Sequence, residues 1–337
     1  MDIKDVVLEE EKQEIRRFLK RFHLTYEDDI DITLALYEDD ALIATASSAA
    51  NIIKSVAVHP AYQGRGYLNP LMSALIKRLH EKGVRHLFVY TLPEHVDLFK
   101  HLGFTSIVES MNMSFLERGG DIRATLVSMR DEYGVSRRAK GSVVINANPL
   151  TKGHLHLIDT ALEDCGELLV FVVSEDRSFF PFEERFAIIE KALADREGVT
   201  VLPSGDYLIS FATFPKYFSK QEKNIQKDHA VIDVLTFKQH YMDIFNINVR
   251  YVGEEPYSPM TKTYNATMKH YLGSKLRIIE RKTLEATPIS ASTVRKLLKK
   301  NGVEAVRKYV PEATYRYLKS ESGRRAVEAL KSHDARH

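Results

Sequence analysis

The sequence predicts an α/β protein of two consecutive blocks, a mixed-sheet α+β domain followed by a domain with a doubly wound parallel sheet. Three observations carry this. At 337 residues the chain exceeds the usual size of one compact core. The first block contains a hairpin pattern, and the second alternates strand-like and helix-like segments at the spacing of βαβ units. Between them, LERGGDIRATLVSMRDEYGVSRRAKG (116–141) has glycines at both ends and a charged, partly amphipathic middle, the pattern of a connecting helix. The expected bounds are 1–120, a linker helix at 121–140, and 141–337.

The N-terminal MDIKDVVLEEEKQEIRRFLKRF is charged and helix-like. DITLALYEDDALIATAS alternates apolar and polar residues around a Glu-Asp-Asp turn, as a β-hairpin does. IIKSVAVHP reads as a buried strand that stops at Pro60, and NPLMSALIKRLHEKG carries apolar residues at helical spacing up to Gly83. A strand (RHLFVYTLP), a short helix (EHVDLFKHLGF) and a closing strand (MNMSFL) complete the first block. In the second, strand GSVVINA leads to helix GHLHLIDTALEDCG, and ELLVFVVS leads to FEERFAIIEKALADREG. Strand VRYVGEEP then leads to helix KTYNATMKHYLG, and KLRIIER to SASTVRKLLKKNG.

Composition bounds the function. Apolar residues make up 44% and charged residues 28%, and 48 basic against 46 acidic side chains leave a net charge of +2. That balance gives no support for a whole-chain nucleic-acid or membrane role. No apolar run approaches membrane-spanning length and the N-terminus lacks a signal-peptide core, so the expectation is a cytoplasmic protein. The single cysteine, Cys165, excludes an internal disulfide and an all-cysteine metal site. Its setting at the end of a helix pattern predicts a buried structural thiol.

In parallel α/β sheets, ligands sit at the carboxyl ends of the strands. Thr151, His154, Glu254, Glu255, Ser290 and Ser292 all follow a predicted strand. In NPLTKGH, Pro149 ends the strand, Gly153 lets a ligand approach the backbone, and the helix start offers free N–H groups to phosphate. Thr151 adds a hydroxyl and His154 a donor or a charge, a set suited to stabilising phosphoryl transfer. Taken alone this is equally a capped helix with an exposed histidine. PISASTVRKLL near the end of the chain changes that reading. It places Ser290, Ser292 and Thr293 at a second helix start with Arg295 just inside, a place for the distal phosphates of a triphosphate.

The pair resembles the signature of the nucleotidyltransferase superfamily, His/Thr-x-Gly-His with Ile-Ser-x-Ser/Thr-x-x-Arg, on a Rossmann-like fold. The resemblance implies ATP as substrate, attack on its α-phosphate and loss of pyrophosphate. It puts Thr151, Lys152 and His154 at the chemistry, and Ser290, Ser292, Thr293 and Arg295 on the phosphates, with Asn146, Asn148 and Gly153 completing the nucleotide site. Lys152 stands where Leu is more usual. The segments SEDRSFFPFEERFAII, SGDYLISFATFPKYF and DVLTFKQHYMDIFNINVRYVGEEPYSPMTKTYNATM resemble the citrate lyase ligase family. That family uses ATP and acetate, with Mg²⁺ expected, to acetylate a thiol on the acyl carrier subunit of citrate lyase. The thiol belongs to a dephospho-coenzyme A-derived prosthetic group, and acetyl-adenylate is the intermediate. Two anions must meet, and Lys152, Arg185 and Arg295 are candidate neighbours for them. Glu254 and Glu255 either hold Mg²⁺ or a ribose, or form surface salt bridges. Thr213 in ATFP either walls an acyl pocket or lies in an ordinary core turn. His154 and His156, two apart on a helix, point to different sides and share no metal.

In the first block, VAVHPAYQGRGYL with LFKHLGF resembles the coenzyme A-binding pattern of the GNAT acetyltransferase fold. Gln63, Gly64, Arg65 and Gly66 match, while Leu68 stands where a small residue belongs and would crowd a pyrophosphate. The implied fold is GNAT-like, and the groove either receives the pantetheine arm of the prosthetic group or its carrier, or is the relict of a silent scaffold. Two other classes compete: an adenylyltransferase joining AMP to a phosphorylated acceptor in coenzyme A or pyridine nucleotide synthesis, and a non-enzymatic nucleotide or coenzyme A sensor.

Overall fold

Strand patterns in the first block close into a seven-stranded mixed sheet. The computed structural model describes residues 1–174, 178–208, 222–254, 259–284 and 287–332. The chain divides into two units, 1–125 with 214–235, and 126–213 with 236–337. The first unit runs β1 (Asp2–Asp5), α1 (Glu9–Lys20), β2 (Ile32–Glu38), β3 (Ala41–Ala49), β4 (Ile52–Val58), α2 (Leu68–Glu81), β5 (Leu87–Thr91), α3 (Val96–His101), β6 (Thr105–Glu109) and β7 (Ser114–Arg118).

The expected hairpin forms between β2 and β3, and Asp39 and Asp40 at its tip take φ of +48° and +63°. Two left-handed residues give the turn whose twist matches the flanking strands. The sheet order is β1-β2-β3-β4-β5-β7-β6, antiparallel except between β4 and β5. Those two pair in parallel only at Ile52 with Phe88 and Ile53 with Val89. Leu36, Ile53 and Leu87 from three strands share one core with Leu71 and Leu75 of α2 and Phe99 of α3. Ile15, Phe18 and Leu19 of α1 cluster with Ala35 and Ala57. Helices thus bury both faces of the sheet, which is why its central strands carry so few exposed positions. Two strands have no counterpart in the expected pattern: β1, a short charged edge strand, and β6. The closing strand also begins later than expected, since Met111 is 95% exposed and β7 starts at Ser114.

Helix α4 (Ile122–Glu132) fills the first half of the expected linker, and Glu117 Oε1 accepts the Ile122 N–H at 2.8 Å. Beyond it come β8 (Lys140–Ile145), α5 (Lys152–Cys165), β9 (Leu168–Val172), α6 (Phe182–Leu193), β10 (Val199–Pro203) and α7 (Glu222–Thr236). A π-helical turn (Phe237–Tyr241) leads into α8 (Met242–Ile244), β11 (Ile247–Gly253), α9 (Pro259–Leu272) and β12 (Leu276–Ile279). A small hairpin, β13 (Thr283–Leu284) with β14 (Thr287–Pro288), precedes α10 (Ala291–Asn301), α11 (Glu312–Lys319) and α12 (Glu321–Ser332).

The second sheet is wholly parallel in the order β10-β9-β8-β11-β12. This is the doubly wound, Rossmann-like order, and it reverses between β8 and β11, the point at which such sheets form a ligand crevice at the strand ends. One face buries Val143, Val170 and Val172 against Ile158 of α5 and Ile189 of α6. On the other, Phe171 meets Phe237, Tyr241 and Phe245 edge-on at 6.2, 5.5 and 5.3 Å between ring centroids. Val294, Leu298, Val306, Leu318 and Val327 close a separate core that holds α10, α11 and α12 together. Strand β10 and helices α7, α11 and α12 are additions to the expected pattern. Cys165 is partly rather than fully buried, and its thiol donates to the Glu167 carbonyl at 3.0 Å.

Candidate active site

Strand β8 delivers the chain to the crevice, where residues 146–150 turn back through a cis Asn148–Pro149 peptide. Thr151 then caps α5, its Oγ1 accepting the His154 N–H at 3.3 Å. The bond is returned: Nδ1 of His154 accepts the Thr151 N–H at 3.0 Å and lies 3.0 Å from Thr151 Oγ1. An Nδ1 that accepts an amide proton carries none of its own, so the neutral ring holds its proton on Nε2. Burial, and secondarily the charge of Arg281, pull the His154 pKa down from 6.5 to about 4. The expected choice between donor and cation thus resolves at neutral pH to an oriented neutral donor.

The second helix start is built alike. Ser290 caps α10, its Oγ accepting the Thr293 N–H at 3.1 Å. Its hydroxyl also lies 2.8 Å from Ser292 Oγ and 2.9 Å from Thr293 Oγ1, and Thr293 donates to the Pro288 carbonyl at 3.3 Å. Ser292 is exposed.

These two starts, far apart in sequence, touch. A Cβ on Gly153 would lie 2.3 Å from the Ile289 carbonyl oxygen, so only glycine permits the approach. Arg295 reaches across and donates from Nη1 to the Asn148 carbonyl at 2.5 Å. Its guanidinium is partly buried, which lowers its pKa from the ordinary value. Asn148 Oδ1 accepts the Phe180 N–H at 3.3 Å, and Asn146 Oδ1 accepts from Ser178 Oγ at 3.2 Å, tying the loop after β9 to the loop after β8.

Other expected residues fall elsewhere. Arg185 on α6 is 1% exposed, and its guanidinium donates to three backbone carbonyls: Phe180 at 2.9 Å, Asn146 at 2.8 Å and Val173 at 2.9 Å. The Lys152 N–H donates to the Tyr309 carbonyl at 2.9 Å. Its side chain lines an open cleft of about 730 Å³ with Glu304, Arg307, Lys308 and Glu312. Glu254 is exposed just beyond β11, and its carbonyl accepts from Arg281 Nε at 2.5 Å. Thr213 and Glu255 lie outside the described residues. No group of three or more His, Cys, Asp or Glu is poised for a metal among the described residues.

Arg281, absent from the expected site, follows β12 and acts electrostatically on His154. Its signal was available: a basic residue just past a parallel strand's carboxyl end.

In the first unit, Gln63 Nε2 donates to the Val58 carbonyl at 3.1 Å and holds the turn before α2. Gly64 and Gly66 take φ of +74° and +79°, and no atom lies within 4 Å of the Cβ either would carry. Residues 63–66 are exposed, with the Arg65 guanidinium 5.3 Å from the centre of the Tyr62 ring. Leu68, the first residue of α2, is 8% exposed and packed into the core, so it does not crowd this loop as expected.

Comparison with known proteins agrees in both units. Residues 140–318 match the family model of the citrate lyase ligase C-terminal domain, and residues 4–104 match that of the acetyltransferase (GNAT) family. The chain is 34% identical over 316 residues to the [citrate [pro-3S]-lyase] ligase of Escherichia coli (strain K12), covering 91% of this chain and 90% of that one. It is 33% identical to the ligase of the same name from Klebsiella pneumoniae, over 91% and 92% of the two chains. For the Haemophilus influenzae ligase the identity is 35%, over 90% and 94%.

Proposed function

The chain belongs to the citrate lyase ligase family, and on that premise we propose that it uses ATP and acetate to acetylate the prosthetic-group thiol on the acyl carrier subunit of citrate lyase. Acetate is a poor acyl donor because its leaving group would be oxide. Attack of its carboxylate oxygen on the α-phosphorus of ATP expels pyrophosphate and leaves acetyl-adenylate. A thiolate then attacks the acetyl carbon, and AMP departs.

The observation that carries this reading is the contact between the two helix starts, with Gly153 against Ile289 and Arg295 on Asn148. It brings two helix N-termini and one guanidinium to one crevice, an arrangement suited to a folded triphosphate. In this reading the Nε2–H of His154 donates to the α-phosphate as charge builds on it, without a proton having to be found first. Arg295 and Arg281 supply positive charge for the phosphates. Of the three clustered hydroxyls, Thr293 donates to a carbonyl and Ser290 accepts as a cap; with Ser290 donating to Ser292 Oγ, the proton of Ser292 would be offered to a phosphate oxygen. Mg²⁺ would take its ligands mainly from phosphate oxygens and water, as it commonly does. Arg185 acts through the backbone: it ties the carboxyl ends of β8 and β9 together and fixes the loop that carries Thr151. The exposed glycine turn before α2 would receive the pyrophosphate of the dephospho-coenzyme A-derived arm.

Exchange of labelled pyrophosphate into ATP tests this. We expect exchange that depends on acetate and needs no thiol. Exchange that ignores acetate and requires a phosphorylated acceptor would instead establish the adenylyltransferase reading.

A further inference from the structure

A ligase whose acceptor rides on a protein needs a surface on which that protein lands. Charge on this chain is distributed very unevenly. Between Ala291 and Ser332, which hold α10, α11 and α12, there are eleven Lys and Arg but only four Asp and Glu, a formal +7. The whole chain carries +2, so the other 295 residues sum to −5. The segment forms one body, because α10 and α11 both pack on α12 around the Val294, Leu298 and Leu330 core. With that face apolar, nine of the eleven cations are exposed, while Arg295 and Lys299 are partly buried. Lys296 and Lys300, one helical turn apart on α10, are exposed, as is Lys308.

The existing ion pairs do not neutralise the surface. Glu312 meets both Arg307 and Arg316, Glu304 meets Lys319, and Glu321 meets Arg325. These acids are already counted in the +7. The basic layer also adjoins the active site. Lys308 lines the same cleft as Lys152, the residue after Thr151, and the Thr314 hydroxyl donates to the Leu150 carbonyl at 3.0 Å.

We propose that the outward face of α10–α12 and the 304–308 turn docks an acidic surface of the carrier subunit, steering its thiol toward the crevice. This rests on the reading above in taking the acceptor to be protein-borne. Complementary charge of this kind raises the encounter rate and is weakened by salt.

The test is the triple variant K296E/K300E/K308E in the full-length enzyme, assayed with the intact carrier subunit at low and high salt. Acetate-dependent ATP–pyrophosphate exchange is measured beside it. We expect the KM for the carrier to rise at least tenfold at low salt with its salt dependence flattened, kcat to stay within twofold, and exchange to match wild type. The neutral triple K296Q/K300Q/K308Q should fall between the two and guards against a folding defect. A carrier KM within twofold of wild type in both variants overturns the proposal. So does RNA that binds the wild-type surface without competing with the carrier. Absence of acetate-dependent exchange in wild type would instead sink the functional reading.

Discussion

His154 accepts, through Nδ1, the amide proton of Thr151 at 3.0 Å, while Thr151 caps the helix that presents His154. In the proposed mechanism the pair performs two tasks, capping and donation to the α-phosphate, that substitution can separate. Asparagine at 154 offers an acceptor oxygen near Nδ1 but nothing equivalent to Nε2–H. His154→Asn should keep most of the stability and lose on the order of 10²- to 10³-fold in kcat for acetate-dependent turnover. His154→Ala should lose the same activity with a further drop in stability from the missing cap bond, while ATP binding stays within about tenfold of wild type, on the order of 1.4 kcal/mol. A His154→Asn enzyme with near-normal kcat would remove Nε2 from the chemistry.

The same ring makes stability depend on pH. Its pKa is about 4 in the folded protein against an ordinary 6.5. Between those values the unfolded chain binds a proton at this site that the folded chain refuses, so stability rises with pH across the window. The contribution is fully present above 6.5 and is lost as pH falls toward 4. Denaturant midpoints measured at pH 7 and pH 4.5 should differ more for wild type than for His154→Asn. Equal differences would mean that the ring titrates normally.

Gly153 offers a test whose sign is opposite to expectation for a helix. In an exposed helix, Gly→Ala stabilises by roughly 0.5–1 kcal/mol. Here the new methyl would meet the Ile289 carbonyl at 2.3 Å. Gly153→Ala should cost about 1–3 kcal/mol by overpacking and raise the KM for ATP by pushing the two helix starts apart. A rise in melting temperature with unchanged KM would show that the starts are not in contact.

Arg185 is the largest fully buried side chain among the described residues. Replacing it with methionine fills the volume but leaves carbonyls at Asn146, Val173 and Phe180 without their donor. Arg185→Met should destabilise by about 3 kcal/mol or more, and Arg185→Lys should recover only part, since a single ammonium nitrogen cannot occupy the separate Nε and Nη1 positions from which the guanidinium donates. If instead Arg185→Lys leaves the melting temperature unchanged and raises only the KM for acetate, the side chain serves the acyl site directly.

Much of this was legible in the sequence, and the reasons differ by element. Alternation of β8, α5, β9 and α6 announced a parallel sheet because each segment keeps one period over its length. Thr151, Gly153, Ser290 and Arg295 were readable because helix starts have local rules. Strand β10 was not, since five residues shortly after a helix carry little period of their own; α11 and α12 each carry a clear amphipathic period and were legible but went unread. Arg185 read as a free cation near phosphate because a sequence shows charge and conceals which carbonyls surround it. Arg281 was legible as a basic residue just past the carboxyl end of β12, but its effect on His154, more than 120 positions away, shows only in the fold.

The glycine turn before α2 separates the roles proposed for the two units. Gly66 sits at φ +79° with open space where a side chain would go, so any substitution meets backbone strain and not a clash. Asparagine tolerates left-handed backbone better than other non-glycine residues. Gly66→Asn therefore isolates the backbone effect, and Gly66→Glu adds a negative charge where a pyrophosphate would lie. If this loop receives the prosthetic arm, Gly66→Glu should raise the KM for the carrier by an order of magnitude or more beyond Gly66→Asn, from repulsion in place of N–H donation. Both variants should leave acetate-dependent ATP–pyrophosphate exchange intact, because the proposed adenylation residues all lie in the second unit. Equal loss of exchange and carrier acetylation in Gly66→Glu would mean that the first unit takes part in adenylation, and the division of labour would have to be abandoned.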